Sequence, residues 1–249
     1  MSHADWCGAQ AWVPASNPGR WRLVAASLAP AAMPGVMAVV FRAARGRFGR
    51  RRGYQAGFAV YWATCWAAAA AIAGFRPLAE AFAAGRRPLP APLPVAVAAL
   101  AGPPVAAVLT EFLPHVRRAG AGTIAASAVI GVTNALAEEA FWRALPVVVF
   151  PQEKIRGWLW PAAWFAGWHL VPLVATGTGG RRAVEVVAGA ALIGVAFGWI
   201  ASTTGSVAGV LVPHTVTDAS GIRVVATFWR RSPTSRRSGG SATAITAPR

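Results

Sequence analysis

The amino-acid sequence predicts an all-α membrane protein, a polytopic bundle of about seven transmembrane helices. Hydrophobic residues make up 55% of the 249 residues, and the mean hydropathy is +0.47. Charged residues make up only 13%, whereas roughly 25% is typical of soluble domains. The apolar residues also form runs of about 20, the length that a helix needs to cross the hydrocarbon core. These observations disfavour an ordinary soluble domain.

Each predicted span is an apolar run, and the approximate ranges are 21–41, 54–75, 92–113, 122–150, 157–175, 183–203 and 206–228. The third run contains Pro103 and Pro104, which we expect to break or kink the helix because proline removes a backbone donor. The fourth run is longer than a bilayer requires. We therefore expect it to tilt, to bend near Pro146, or to break and leave a short interfacial piece.

These runs define a transmembrane domain over 21–229, with a polar segment, 1–20, before it. The tail, 230–249, is rich in Arg, Ser and Gly, which predicts disorder. Arginines cluster in 42–52, between the first two runs, and the positive-inside rule places them and the C-terminus in the cytoplasm. We expect a multi-pass protein of a bacterial plasma membrane, with the lipid bilayer as a partner.

The net charge of +16 does not indicate nucleic-acid binding. The basic residues lie between and beyond the apolar runs, as expected if they set membrane orientation. A nucleic-acid binder gathers them on one folded face. We therefore expect no nucleic-acid partner.

Two of the eight acidic residues, Glu138 and Glu139, are adjacent inside the fourth apolar run. A charge at the bilayer centre costs about 2.5 to 3.5 kcal/mol, so the default interpretation is a functional group that faces the protein interior. Glu139 lies one helical turn before Arg143, and the two can neutralise each other. Glu138 has Trp142 at the equivalent position, which leaves its carboxyl for general-base chemistry. Alternatively, both glutamates only pair with Arg143 and hold helices together.

Two histidines also lie inside apolar runs. His169 is in the fifth run, and His214 precedes Asp218 by one helical turn in the seventh. Together with Glu138 they suit hydrolysis by an activated water, in which the carboxylate takes the proton and the histidines hold water, a metal or the oxyanion. Zn²⁺ accepts two histidines and a carboxylate, which makes His169 and His214 candidate metal ligands. The residue types do not decide between the two mechanisms.

Three motifs, in this order, resemble those of the CPBP family of intramembrane proteases, named for CAAX proteases and bacteriocin-processing enzymes. The family pattern is E-E-x-x-x-R, then F-x-x-x-H, then H-x-x-x-N or a similar residue, on separate transmembrane helices. In this sequence the three motifs occupy 138–143, 165–169 and 214–218. The third departs from the pattern, because Asp218 stands where Asn is frequent. An ionised Asp cannot donate to an oxyanion, although it can orient His214 or bind a metal.

The resemblance implies a CAAX-type intramembrane metalloprotease with a catalytic core at about 122–228. It assigns four catalytic residues and one structural pair, which are Glu138, His169, His214 and Asp218, and Glu139 with Arg143. It implies a membrane peptide or prenylated protein as substrate, and either Zn²⁺ or a metal-free glutamate mechanism, in which the residue matching Glu138 activates water.

Two other function classes stay open. One is a proteolytically silent member of the same fold that acts in bacteriocin self-immunity or binds a membrane partner. The other is a proton-coupled transporter, since intramembrane Glu and His also form proton relays. That class favours inverted repeats, and the sequence shows none. The peptidase is the preferred hypothesis because each position of the first two motifs is matched and the third differs only at Asp218.

Overall fold

The structure is a computed structural model that describes residues 19–83, 87–89, 92–151 and 153–229. Its regular elements are all helical, without a strand in these ranges, which confirms the all-α class. The α-helices are α1 Arg20–Ala73, α2 Phe75–Ala81, α3 Leu93–Ala107, α4 Leu113–Val116, α5 Ala121–Glu138, α6 Leu145–Val149, α7 Trp160–Trp168, α8 Leu170–Thr176, α9 Gly180–Thr204, α10 Ala208–Ala219 and α11 Ile222–Phe228. Wider π-helical turns occur at Val108–Phe112, Glu139–Ala144 and Ile155–Leu159. Residues 1–18 of the predicted polar segment and the predicted tail, 230–249, lie outside the described residues.

Helix α1 folds back on itself as a hairpin. Gly49 lies at the turn with φ 74° and ψ 179°, a conformation that a glycine adopts without steric cost. Phe41 and Phe58 lie on opposite sides of this turn with ring centroids 5.4 Å apart, whereas a straight helix would separate them by about 25 Å. The two halves therefore correspond to the first two predicted spans, and the arginine-rich segment forms the turn.

Four helical segments are long and apolar enough to cross a membrane, and they are Arg20–Ala73, Leu93–Val116, Ala121–Val149 and Gly180–Thr204. The α1 hairpin counts once among them. The fifth predicted run is divided at His169 between α7 and α8. Pro172, in the first turn of α8, has no N–H to donate to the preceding turn, so the helical hydrogen-bond pattern is interrupted here. The seventh is divided between α10 and α11, so neither run forms a single long helix. The count of about seven spans stays a prediction.

The expected break at Pro103 and Pro104 does not occur, because α3 continues through both residues. Proline fixes φ near the helical value, so a helix can continue although two carbonyls lose their donors. The fourth run contains a π-helical turn that begins at Glu139, ahead of Pro146. Such turns insert an extra residue and are frequent at functional sites.

Helices α5 and α10 form the most extensive helix pair in the described part of the chain, and their contact positions the site. A Cβ atom at Gly131 would lie 2.7 Å from the backbone nitrogen of Ala219, so only glycine permits this close approach. The contact brings the end of α5, which carries Glu138, alongside the face of α10 that carries His214.

The arginine-rich turn of α1 contacts the C-terminal ends of two other helices. Arg45 Nη1 donates to the carbonyl of Ala175 at 3.2 Å, and Arg51 Nε donates to the carbonyl of Phe228 at 3.2 Å. Cations at helix C-termini are favourable because these ends carry partial negative charge. The basic turn and the ends of α8 and α11 therefore share one end of the molecule. Their placement in the cytoplasm stays a prediction.

Candidate active site

The first motif lies at the junction of α5 and the π-helical turn Glu139–Ala144, and all of its residues are buried. Arg143 Nη1 lies 3.2 Å from Glu139 Oε1, and both side chains are almost fully buried. The guanidinium carbon of Arg143 lies 4.1 Å from the centroid of the Phe165 ring. This stacking connects the first motif to the second through a cation–π contact.

Glu138 is held by donors from two other helices. Its Oε1 atom accepts hydrogen bonds from the Tyr61 hydroxyl at 2.9 Å and from Trp168 Nε1 at 3.2 Å. The Tyr61 hydroxyl in turn accepts a hydrogen bond from Trp142 Nε1 at 2.8 Å. The rings of Tyr61 and Trp168 stack with centroids 3.8 Å apart. With Oε1 occupied, the carboxylate presents its Oε2 atom to His214.

His214 lies among three carboxylates. Its Nδ1 atom is 2.6 Å from Glu139 Oε1, and its Nε2 atom is 3.3 Å from Glu138 Oε2 and 3.5 Å from Asp218 Oδ2. Two carboxylate oxygens that face one nitrogen repel each other unless a positive charge lies between them. That charge is either a proton on Nε2 or a bound metal ion. In both cases Glu139 accepts from Nδ1–H and orients the ring.

Asp218 is anchored by a residue that the sequence analysis did not single out. Asn134 Nδ2 donates to Asp218 Oδ2 at 2.8 Å, and Trp62 Nε1 donates to Asn134 Oδ1 at 2.8 Å. The Asp218 side chain keeps 23% of its surface exposed, whereas that of His214 keeps 3%. Asp218 is therefore the part of the buried cluster that remains accessible.

His169 lies apart from this cluster. Its Nδ1 atom is 2.8 Å from the carbonyl of Phe165, and a carbonyl only accepts, so Nδ1 carries the proton. In the neutral ring Nε2 then has a free lone pair, suited to a proton or a metal. No contact of His169 with a carboxylate of the cluster is short enough to be an ion pair within the described residues.

The donor set fits a divalent metal ion in composition and spacing. One donor atom each from Glu138, His214 and Asp218 lies within 4.8 Å of the others. Neighbouring ligands of a tetrahedral zinc ion are about 3.3 Å apart, close to the 3.3 and 3.5 Å separations around His214 Nε2. The sequence predicts His169 and His214 as metal ligands. In the structure His214 lies in a group with Glu138 and Asp218, and His169 lies outside this group, so a metal-ligand role of His169 stays a prediction.

A cavity of about 460 Å³ leads to this cluster, within the size range of ligand sites. His169, Asn134 and Asp218 line it, whereas Glu138 and His214 do not. The walls are largely aromatic and aliphatic, and three arginines also line the cavity. The aromatic wall residues are Tyr54, Phe58, Trp62, Phe228 and Trp229, and the arginines are Arg50, Arg182 and Arg223.

Sequence reasoning missed the residues that hold Glu138 and Asp218. Asn134 was detectable in principle, because a polar amide inside an apolar run is itself unusual. Tyr61, Trp142 and Trp168 carried no such signal, since aromatic residues are common in membrane helices. Their roles depend on which helices are neighbours, and short motifs do not encode that.

Comparison with known proteins bears on the segment that contains all three motifs. Residues 120–220 match the family described as Type II CAAX prenyl endopeptidase Rce1-like. No curated protein and no solved structure matches the chain. Together with the four apolar helical segments, the family match indicates an integral membrane protein of a protease family. The segment 120–220 therefore belongs to the CPBP family, which agrees with the resemblance of its three motifs.

Proposed function

We propose that this protein is an intramembrane endopeptidase that hydrolyses a peptide bond of a membrane-associated or prenylated substrate. The observation that carries the proposal is the buried group of Glu138, His214 and Asp218, with donor atoms within 4.8 Å of one another and Asp218 at the wall of the cavity. A protein interior holds several ionisable groups this close mainly where they act on a ligand.

In the metal-free form of the mechanism, Glu138 takes a proton from water while the water oxygen bonds to the carbonyl carbon. The carbonyl oxygen becomes an oxyanion, and the peptide C–N bond then breaks as Glu138 returns the proton to the leaving nitrogen. His214 bears a proton on Nε2, which lies between the carboxylates of Glu138 and Asp218. His169 Nε2 accepts a hydrogen bond from the water at the cavity wall. The products are a carboxylic acid and an amine.

In the metal-dependent form, Glu138, His214 and Asp218 would hold a zinc ion, which acts as a Lewis acid toward water or the carbonyl. Glu139 then keeps Nδ1 of His214 protonated, so that Nε2 is free to coordinate. The two forms assign Glu138 different tasks, a proton acceptor in one and a ligand in the other. This difference makes them separable by experiment.

The cavity favours a substrate with apolar side chains and an anionic end. Its aromatic walls suit apolar groups, and the arginines that line it attract a carboxylate. Arg50 and Arg223 make no ion pair within the described residues, so their charges are available. A membrane peptide with a free C-terminal carboxylate fits this combination.

The test combines metal analysis with cleavage assays on detergent-purified protein. Wild type and Glu138→Gln are measured on a panel of membrane peptides, with and without a chelator. We expect the variant to lose about 10²- to 10⁴-fold in kcat, the range that a general base contributes. Glu185→Gln is the matched control, because Glu185 is an exposed acid that pairs with Arg181 on α9.

Three outcomes separate the alternatives. Stoichiometric zinc in the wild type, lost in the variant, together with sensitivity to the chelator supports the metal-dependent form. Absence of metal from an active wild type supports direct action of Glu138 on water. A folded wild type that cleaves no peptide refutes the proposal and favours the silent family member that binds a membrane partner.

A further inference from the structure

The cavity is lined by the amide side chain of Asn134, which contacts Asp218, the motif position where an amide is frequent. Asp218 replaces the Asn of the motif, and an ionised carboxylate cannot donate a hydrogen bond to an oxyanion. Asn134 lies one helical turn before Glu138 on α5 and also lines the cavity. Its Nδ2 atom is 2.8 Å from Asp218 Oδ2. The site therefore has a neutral donor next to the position where the motif places one.

The orientation of the Asn134 amide follows from its two partners. Trp62 Nε1 can only donate, so the atom that faces it is Oδ1. Asp218 in its ionised form can only accept, so the atom that faces it is Nδ2. The amide nitrogen carries two hydrogens, and Asp218 takes one of them. The second N–H has no protein partner within the described residues.

His169 and Trp62, which also line the cavity, have no spare donor. Nδ1 of His169 donates to the carbonyl of Phe165, and in the neutral ring Nε2 carries no hydrogen. The indole N–H of Trp62 is used by Asn134. Of these three neighbouring side chains, Asn134 is the one that keeps an N–H for a substrate oxygen.

We propose that Asn134 is a catalytic residue whose amide N–H donates a hydrogen bond to the carbonyl oxygen of the scissile peptide as it becomes an oxyanion. The inference rests on the proposed peptidase function. Asp218 and Trp62 are positioning residues, because they hold the amide at both ends before substrate arrives. A preorganised donor of this kind stabilises the transition state more than the bound substrate.

The first variant is Asn134→Asp, which keeps the shape and the acceptor for Trp62 but removes the donor. We expect kcat to fall about 100-fold, the loss typical of one oxyanion donor, while KM changes by less than about threefold. Thr133→Val is the matched control on the same helix, since among the described residues the Thr133 hydroxyl bonds only to the carbonyl of Val129. Thermal unfolding of each variant shows that the fold is retained.

The second variant exchanges the two side chains, Asn134→Asp together with Asp218→Asn. The exchange retains one amide, one carboxylate and the hydrogen bond between them, and moves the free N–H to position 218. We expect it to recover at least about tenfold of the kcat lost in the single variant. If Asn134 only holds the Asp218 carboxylate in place, the exchange variant should not recover kcat, because position 218 no longer has a carboxylate.

The outcomes distinguish this inference from the proposed function. An active wild type, an impaired Asn134→Asp variant and a recovered exchange variant support it. It is wrong if the single variant keeps kcat within about threefold of the wild type, or if the exchange variant is as impaired as the single one. A wild type that cleaves no peptide refutes the peptidase function itself, and the inference with it.

Discussion

The hydroxyl of Tyr61 connects Glu138 to the aromatic core, and Tyr61→Phe removes this connection with minimal change in shape. The hydroxyl donates to Glu138 Oε1 at 2.9 Å and accepts from Trp142 Nε1 at 2.8 Å. Phenylalanine retains the stacking on Trp168, where the ring centroids are 3.8 Å apart. The substitution therefore isolates the contribution of one oxygen atom.

Two losses add up in this variant. A hydrogen bond to a charged group contributes about 1.5–3 kcal/mol, and a buried donor left without a partner costs about 1–3 kcal/mol. Tyr61 is 0% exposed and Trp142 is 2% exposed, so water does not replace the missing oxygen readily. We expect a loss of about 3 kcal/mol in the free energy of unfolding, which for a chain of this size lowers Tm by about 6–12 °C.

The activity of Tyr61→Phe should fall as well, because the Oε1 atom of Glu138 keeps only its longer hydrogen bond to Trp168, at 3.2 Å, among the described residues. A displaced catalytic group costs one to two orders of magnitude, so we expect kcat to fall about 10- to 100-fold with KM nearly unchanged. The assays are thermal unfolding in detergent and cleavage of the peptide panel.

Tyr54→Phe is the control for stability. Tyr54 is the other of the two tyrosines in the chain, is buried, and makes no side-chain hydrogen bond within the described residues. Its Tm should stay close to that of the wild type. Equal unfolding temperatures of Tyr61→Phe and Tyr54→Phe would mean that the Tyr61 hydroxyl contributes nothing to stability, contrary to this prediction.

Two further predictions test the helix contact and the cavity. Gly131→Ala should lower both Tm and kcat, because a Cβ there would lie 2.7 Å from the backbone of α10. Gly122→Ala should change neither, because no described residue lies within 4 Å of the added Cβ, and equal Tm values for the two variants would contradict the close approach at Gly131. Arg223→Gln should raise KM about fivefold for a peptide with a free C-terminal carboxylate but not for its C-terminal amide, as expected for one exposed ion pair. Arg118→Gln, exposed and away from the cavity, is the control, and an equal effect on both peptides would exclude recognition of the carboxylate.

The candidate site was partly predictable because its charged residues stand out against an apolar background. Glu138, His169, His214 and Asp218 were all visible as ionisable groups in apolar runs, and the structure places Glu138, His214 and Asp218 together. Helical spacing also anticipated the contact between Glu139 and Arg143, since residues one turn apart share a face. The separation of His169 from the group was not predictable, because it depends on how α7 packs beside α5 and α10.

The sequence by itself determined the class of the protein. Its apolar runs of bilayer length and its low charge content predict segments that lie in lipid. In lipid a helix satisfies all of its own backbone N–H and C=O groups, so these segments are predicted to be helical. It also determined which side chains are candidates for chemistry, because an ionisable group inside an apolar run is costly and is by default a functional residue.

Only the tertiary structure decided how these side chains are connected. It turned α1 into a hairpin at Gly49, which brings Tyr61 to Glu138, and it brought α5 against α10 at Gly131. It also gave Asp218 its partner, Asn134, across 84 residues of sequence. These contacts join helices that are distant in the chain, and helical periodicity reports only which residues share one face of one helix.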